Sequence, residues 1–243
     1  MRRSRALAGA EVTLFNDLVT TGFGLEVLEH DDLDTLQRGD PTAGNRAILA
    51  AGTGLGEVTL LWDGARWHAA ASEGGHADFA PRRPLEDELN AWLRARYRHV
   101  SVERVLSGPG LADLHRFLRD TGRGEESARN AARFDHAPDP AVVVSESGLD
   151  GSCTRARMAL EIFVEVLGAE AGNLALRALP TRGLYLGGGI APRLRALLHD
   201  PRFLEAFLDK PPMSGLLERF PVHLILDPQT ALWGAAVAAL AKA

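Results

Sequence analysis

The chain has 243 residues, 46% apolar and 24% charged, enough for one large domain or two small ones. Its formal charge of −5 favours neither nucleic acid nor an anionic membrane, and the arginine clusters at 2–3, 82–83 and 94–98 are too short for a nucleic-acid track. A single cysteine, Cys153, excludes an intrachain disulfide and an all-cysteine metal site. No stretch reaches the length and apolarity of a spanning helix, and there is no apolar signal core at the N-terminus, so the cytoplasm is the expected compartment.

In chain order, residues 11–15 (Glu-Val-Thr-Leu-Phe) read as a strand ending at Asn16-Asp17, with a helix starting over 18–25. Residues 29–45 are polar and broken by Gly39-Asp40-Pro41 and Gly44-Asn45, the pattern of a loop. Residues 46–51 predict a strand that enters Gly52-Thr53-Gly54-Leu55-Gly56 and leaves it as a second strand, Glu57–Trp62. Asp63-Gly64 then turns the chain tightly into 65–70. Pro84 opens an expected helix over 85–97, a second helix is expected over 110–119, and the arginine-rich, proline-broken run 120–140 reads as a surface excursion. The apolar stretch 152–178 predicts a buried helix, with Gly168 and Gly172 as candidate breaks. A strand at 183–186 ends in Gly187-Gly188-Gly189, helices follow near 192–198 and 201–208, 222–226 is a last strand, and 230–240 is a small-residue apolar helix. Strands alternating with helices, plus one early hairpin, indicate an α/β or mixed α+β layered fold.

Four segments have the composition of a site. A strand, glycine loop and strand offers backbone N–H groups to an anion without the helix of a dinucleotide fold; the same residues also make a plain glycine turn. Asp17 can accept a proton from a hydroxyl, and Asn16 can both donate and accept; either could equally be an Asx helix cap. Glu73 and His76 flank two glycines that let the backbone approach a ligand, with two acceptor oxygens and one donor for adjacent hydroxyls. No His/Cys set of zinc spacing lies near them. Glu103, before the Ser107–Gly110 turn, is either a surface charge or a ligand. Gly187–Gly189 either admits a nucleotide against backbone or merely permits a tight turn.

Taken together the chain resembles the bacterial glucokinase family, within the hexokinase, actin and sugar-kinase superfamily. Five segments carry the resemblance: residues 14–18 (Leu-Phe-Asn-Asp-Leu), 51–56 (Ala-Gly-Thr-Gly-Leu-Gly), 72–79 (Ser-Glu-Gly-Gly-His-Ala-Asp-Phe), 102–110 (Val-Glu-Arg-Val-Leu-Ser-Gly-Pro-Gly) and 186–193 (Leu-Gly-Gly-Gly-Ile-Ala-Pro-Arg). The cysteine cluster of the zinc-containing sugar-kinase and repressor family is missing. The resemblance implies a ribonuclease-H-like α/β large lobe with a mixed sheet and flanking helices, and phosphoryl transfer from ATP, with its magnesium, to the 6-hydroxyl of D-glucose. It implies that Asp17 accepts the hydroxyl proton, that Asn16, Glu73, His76 and Glu103 hold the other hydroxyls, that Gly52, Thr53 and Gly54 form a phosphate loop, and that Gly188 and Gly189 lie at the nucleotide side. It implies no metal ligand among these residues; the acidic residue expected to organise magnesium belongs to the family's opening segment.

One departure stands out. The family pattern opens with an Asp-Gly-Gly-Thr-type phosphate loop ahead of the Asn-Asp segment, and that motif does not occur in these residues. The expected division is therefore 1–26 as a remnant of the small lobe, 27–229 as the large lobe, and 230–243 as a helix returning toward the small lobe. Most of the small lobe is expected to be absent. Impaired transfer is expected of these residues alone. A non-catalytic sugar-binding or interaction protein built on a kinase lobe is the alternative, and a homo-oligomer is compatible with either.

Overall fold

A computed structural model describes residues 12–240. Its centre is a six-stranded sheet: β1 (Leu33–Gln37), β2 (Arg46–Ala51), β3 (Leu55–Trp62), β4 (Trp67–Ala71), β5 (Gly183–Gly187) and β6 (Val222–Ile225), in the order β1-β6-β5-β2-β3-β4. β2, β5 and β6 run parallel; β1 is antiparallel to β6, and β2-β3-β4 is an antiparallel meander. Mixed pairing follows from connection length. Asp63 Oδ1 accepts the N–H groups of Ala65 and Arg66 and Gly64 takes φ +103°, so the β3–β4 turn is tight, whereas parallel β2 and β5 are joined through helices.

The helices are α1 (Asp17–Gly24), α2 (Pro84–Arg94), α3 (Gly108–Asp120), α4 (Ala128–His136), α5 (Pro140–Leu149), α6 (Thr154–Ala178), α7 (Arg195–Leu198), α8 (Pro201–Leu208), α9 (Ser214–Leu217) and α10 (Thr230–Leu240). Several start on a side-chain cap with proline in the first turn. Ser107 Oγ accepts from Gly110 N–H at 3.1 Å, and Asp139 Oδ1 accepts from Ala141 N–H at 3.1 Å. Both faces of β2 are covered. Ala47, Leu49 and Ala51 pack into the main core with Leu111, Phe117, Leu160 and Phe163, while Ile48 joins Val58, Leu60, Tyr185 and Ile225 under Leu18 and Val19 of α1. This double burial explains a strand with no polar alternation.

Several expectations need correcting. Residues 12–16 form no regular element, and residue 11 lies outside the described part, so the strand expected over 11–15 is not formed. The outer strands of the sheet are β1 and β4, and neither pairs with this segment. The loop expected over 29–45 contains β1, whose polar side chains conceal a strand held by its ladder to β6. The supposed surface excursion 120–140 contains α4, with Asn130 and Phe134 buried, and leads into α5. The helix 154–178 runs unbroken through Gly168 and Gly172. A Cβ at Gly168 would overlap the carbonyl oxygen of Phe203, and one at Gly172 would lie 2.6 Å from that of Phe207, so these glycines admit α8 rather than break α6.

Candidate functional site

The parallel strands β2 and β5 are adjacent, and both end in glycine loops at their carboxyl ends, where open α/β sheets take ligands. After β2, Gly52 N–H donates to Gly54 C=O at 2.8 Å, while the N–H groups of Thr53 and Gly54 have no hydrogen-bond partner among the described residues. After β5, Gly188 takes φ +82°. A Cβ there would overlap the Ala51 carbonyl, so the second glycine loop lies directly against the first. A Cβ at Gly189 would meet nothing within 4 Å, and one at Gly52 would lie 3.9 Å from Gly189 N. The two loops thus form a backbone-lined cradle with room above it, and that arrangement fits phosphate groups.

The polar side chains reach this cradle from three directions. α1 lies across β3: Leu18 occupies the space that a Cβ on Gly56 would fill, which brings Asn16 and Asp17 over the glycine loop. Asn16 Oδ1 accepts from Leu18 N–H at 2.9 Å, so the Asx cap exists, and it fixes the Asn16–Asp17 corner instead of competing with a site role. Residues 77–79 are zipped to 100–102 by Phe79 N–H to Val100 C=O at 3.0 Å and Val102 N–H to Ala77 C=O at 2.9 Å. That zipper carries Glu103 to the 73–76 turn. His76 Nδ1 lies 3.9 Å from Glu103 Oε1, and His76 Nε2 lies 4.0 Å from Glu73 Oε2. Glu103 Oε2 accepts Leu55 N–H at 3.0 Å, which ties it to the glycine loop.

A cavity of about 310 Å³ is lined by Asn16, Asp17, Gly52, Thr53, Gly54, Glu73, Glu103 and Gly188; His76 stands at its rim beside Glu103. A second, of about 550 Å³, is lined by Gly52, Thr53, Gly189, Ile190 and Arg193, together with Arg116, Asp139 and Ser145. The two cavities share Gly52 and Thr53. All ten residues singled out by sequence therefore converge on one region. The far wall of the larger cavity went unnoticed in the sequence, because it is assembled from α3, the 138–142 segment and the turn after β5. Arg193 closes the 186–193 segment, whose sequence points to no role for it.

Elsewhere His115, Glu126 and Cys153 bring their ligand-type atoms within 4.8 Å of one another, and none of the three lines either cavity. His115 Nε2 donates to Glu126 Oε1 at 2.9 Å, and burial holds the imidazole down at about 4, hence neutral. Glu126 Oε2 is already matched by Arg155 at 2.5 Å and Arg119 at 3.2 Å, and two guanidiniums oppose a metal cation there. The cluster reads as a buried ion-pair network.

The glucokinase family model matches residues 1–242. The glucokinase of Trichormus variabilis is 41% identical over 251 residues, which cover 98% of this chain and 73% of that protein. The glucokinase of Synechocystis sp. is 42% identical over 253 residues, 98% of this chain and 71% of its own. A crystal structure of glucokinase from an Antarctic psychrotroph matches with a TM-score of 0.83 at 29% identity, covering 98% of this chain and 71% of that one. Among the described residues no helix is long and apolar enough to cross a membrane.

Proposed function

The chain belongs to the glucokinase family, and on that premise we propose that it transfers the γ-phosphoryl group of ATP to the 6-hydroxyl of D-glucose. The observation that carries this reading is the junction of two cavities at Gly52 and Thr53, one lined by Asn16, Asp17, Glu73 and Glu103 and the other by glycine backbone and two arginines. Phosphoryl transfer needs positioning and charge stabilisation more than covalent participation, and a shared glycine floor holds acceptor and donor against each other.

In this reading Asn16, Glu73, His76 and Glu103 hold sugar hydroxyls. Each carboxylate can accept hydrogen bonds from a pair of hydroxyls, the imidazole donates or accepts one, and Glu103 is held to the loop by Leu55 N–H. Asp17, at the first turn of α1, accepts the proton of the attacking 6-hydroxyl as the O–P bond forms. The N–H groups of Thr53 and Gly54 receive the transferring phosphoryl oxygens, and Gly188 and Gly189 let the nucleotide lie against backbone. Magnesium, brought by the nucleotide, supplies charge neutralisation on the phosphates when bound. The same grounds support the division into 1–26, 27–229 and 230–243, since α1 and α10, which flank the central unit, pack on each other. Transfer by these residues alone is proposed to be slow, because no Asp-Gly-Gly-Thr-type loop occurs among them.

The test is a coupled assay for glucose 6-phosphate with glucose, ATP and magnesium, run beside calorimetric titration of glucose. Product formation supports the kinase. Glucose binding with no turnover under any condition supports the second reading, a non-catalytic sugar-binding protein.

A further inference from the structure

On the reading of the 73–76 turn as a holder of sugar hydroxyls, we propose that Glu57 is a positioning residue: its buried carboxyl, braced from α6 through Arg177 and Glu170, is the floor that sets the Gly74-Gly75 turn and thereby the reach of Glu73 and His76. Glu57 lines the floor of the 310 Å³ cavity, but it is only 4% exposed and its Oε2 is taken up by Gly74 and Arg177, so it acts through the turn above it.

The contacts above and below the Glu57 carboxyl carry the proposal. A Cβ on Gly74 would overlap Glu57 Oε2 and lie 2.8 Å from Glu57 Cδ, so the turn rests on the carboxyl with nothing between. The backbone oxygen of Glu57 accepts Ser72 Oγ–H at 3.0 Å, and that same Oγ accepts Gly74 N–H at 3.3 Å. Arg177 Nη2 donates both to Glu57 Oε2 at 2.9 Å and to Glu170 Oε1 at 2.7 Å. Asn173 Nδ2 holds the other Glu170 oxygen at 2.8 Å. The turn's second support is backbone: a Cβ on Gly75 would overlap the Leu55 carbonyl. One side chain and one carbonyl, both at the start of β3, therefore fix the height of the turn above the glycine loop.

The brace is not neutral to pH. Two buried carboxyls share one half-exposed guanidinium, and Glu57 Oε1 is buried without a partner. Burial first, and the adjacent Glu170 second, raise Glu57 to about 7. The groups facing it are Ser72 and Gly74 from the turn, Glu170, Asn173 and Arg177 from α6, and Leu49 opposite it on β2; Glu73 points to solvent, and Lys210 adds a positive charge on the Glu170 side. As Glu57 ionises, it repels Glu170 and the floor under Gly74 loosens.

The test uses the full chain and four variants, E57A, E57Q, G74A and E57A/G74A, with glucose titrated calorimetrically at pH 6, 7 and 8 and a non-hydrolysable ATP analogue as control. E57A is expected to weaken glucose about tenfold, roughly 1.4 kcal/mol, and leave the nucleotide within about twofold. G74A is expected to weaken glucose strongly in the wild type but little in the E57A background, because the overlapping carboxyl has gone. E57Q keeps the size of the floor and restores the affinity that E57A loses. It also removes the component of the pH dependence that belongs to Glu57, while titrations common to both proteins cancel. Amide exchange of the sugar-free chain gives an independent readout: residues 72–77 exchange faster in E57A, and 183–187 do not. Equal exchange at 72–77, equal cost of G74A in both backgrounds, or identical pH profiles of wild type and E57Q would each overturn the proposal. H76A and E103A separate it from the sugar reading. If they leave glucose binding unchanged, the sugar assignment fails, and the exchange result still decides the role of Glu57.

Discussion

At the scale of single residues, burial and backbone conformation decide what each position tolerates. His115 is buried and neutral, with its folded value at about 4 against an ordinary 6.5. The unfolded chain therefore binds the extra proton first as pH falls. The contribution of His115 to stability is complete above pH 6.5 and is lost between 6.5 and 4. Urea melts across that range should show stability falling toward acid, and a smaller fall in His115→Gln; equal slopes would contradict the assignment. Gly188 offers a different kind of test. Its φ of +82° and the Ala51 carbonyl directly against it leave no room for a side chain. Gly188→Ala should cost about 1–3 kcal/mol and weaken both ATP and glucose, because Gly188 lines the smaller cavity and holds the second glycine loop against the first, as read by denaturant melts and paired titrations.

Elements bring distant residues into register, and here the crossing of α1 and α10 matters most. A Cβ on Gly234 would overlap the Thr20 carbonyl, and one on Gly24 would overlap the Thr230 carbonyl, so the two helices meet backbone to backbone. Gly234→Ala should push them apart, cost about 1–3 kcal/mol, and lower glucose affinity by displacing Asn16 and Asp17 at the start of α1. Unchanged melting and unchanged glucose affinity would show that α10 does not position the site. What could be read from sequence at this scale follows burial. The 46–71 meander and β5 are mostly apolar and flanked by glycines, and β6 and α10 are apolar runs punctuated by Pro221 and Asp227-Pro228, so they are plain in the sequence. β1 was hidden because Asp34, Thr35 and Gln37 are polar and the strand exists through pairing with β6. α4 was hidden because only Asn130 and Phe134 of its nine residues are buried. The convergence of Asn16, Asp17, Glu73, His76 and Glu103 was legible because these residues sit in or beside short glycine-bearing segments. The wall formed by Arg116, Asp139 and Ser145 was not, because these residues meet only after α3 and α5 pack.

For the whole molecule, α10 and the segment before α1 each expose apolar side chains: Leu232 is 64% and Leu240 76% exposed, and Leu14 is 77% exposed. Such surface favours association. Sedimentation of these 243 residues should show mass rising with concentration, and Leu232→Glu should reduce it; a strictly monomeric species at high concentration would refute this.

The central claim is that sugar hydroxyls are held, and one of them deprotonated, where the two cavities meet at Gly52 and Thr53. Paired determination of glucose affinity and turnover in Asp17→Asn and Glu103→Ala tests it most directly. Asp17→Asn should keep glucose affinity within about threefold while turnover falls roughly 10²–10⁴-fold, because only the proton acceptor is removed. Glu103→Ala should weaken glucose itself about tenfold or more, because a hydroxyl contact in the ground state is lost. Asp17→Asn acting only on affinity, or Glu103→Ala leaving affinity untouched, would contradict the account.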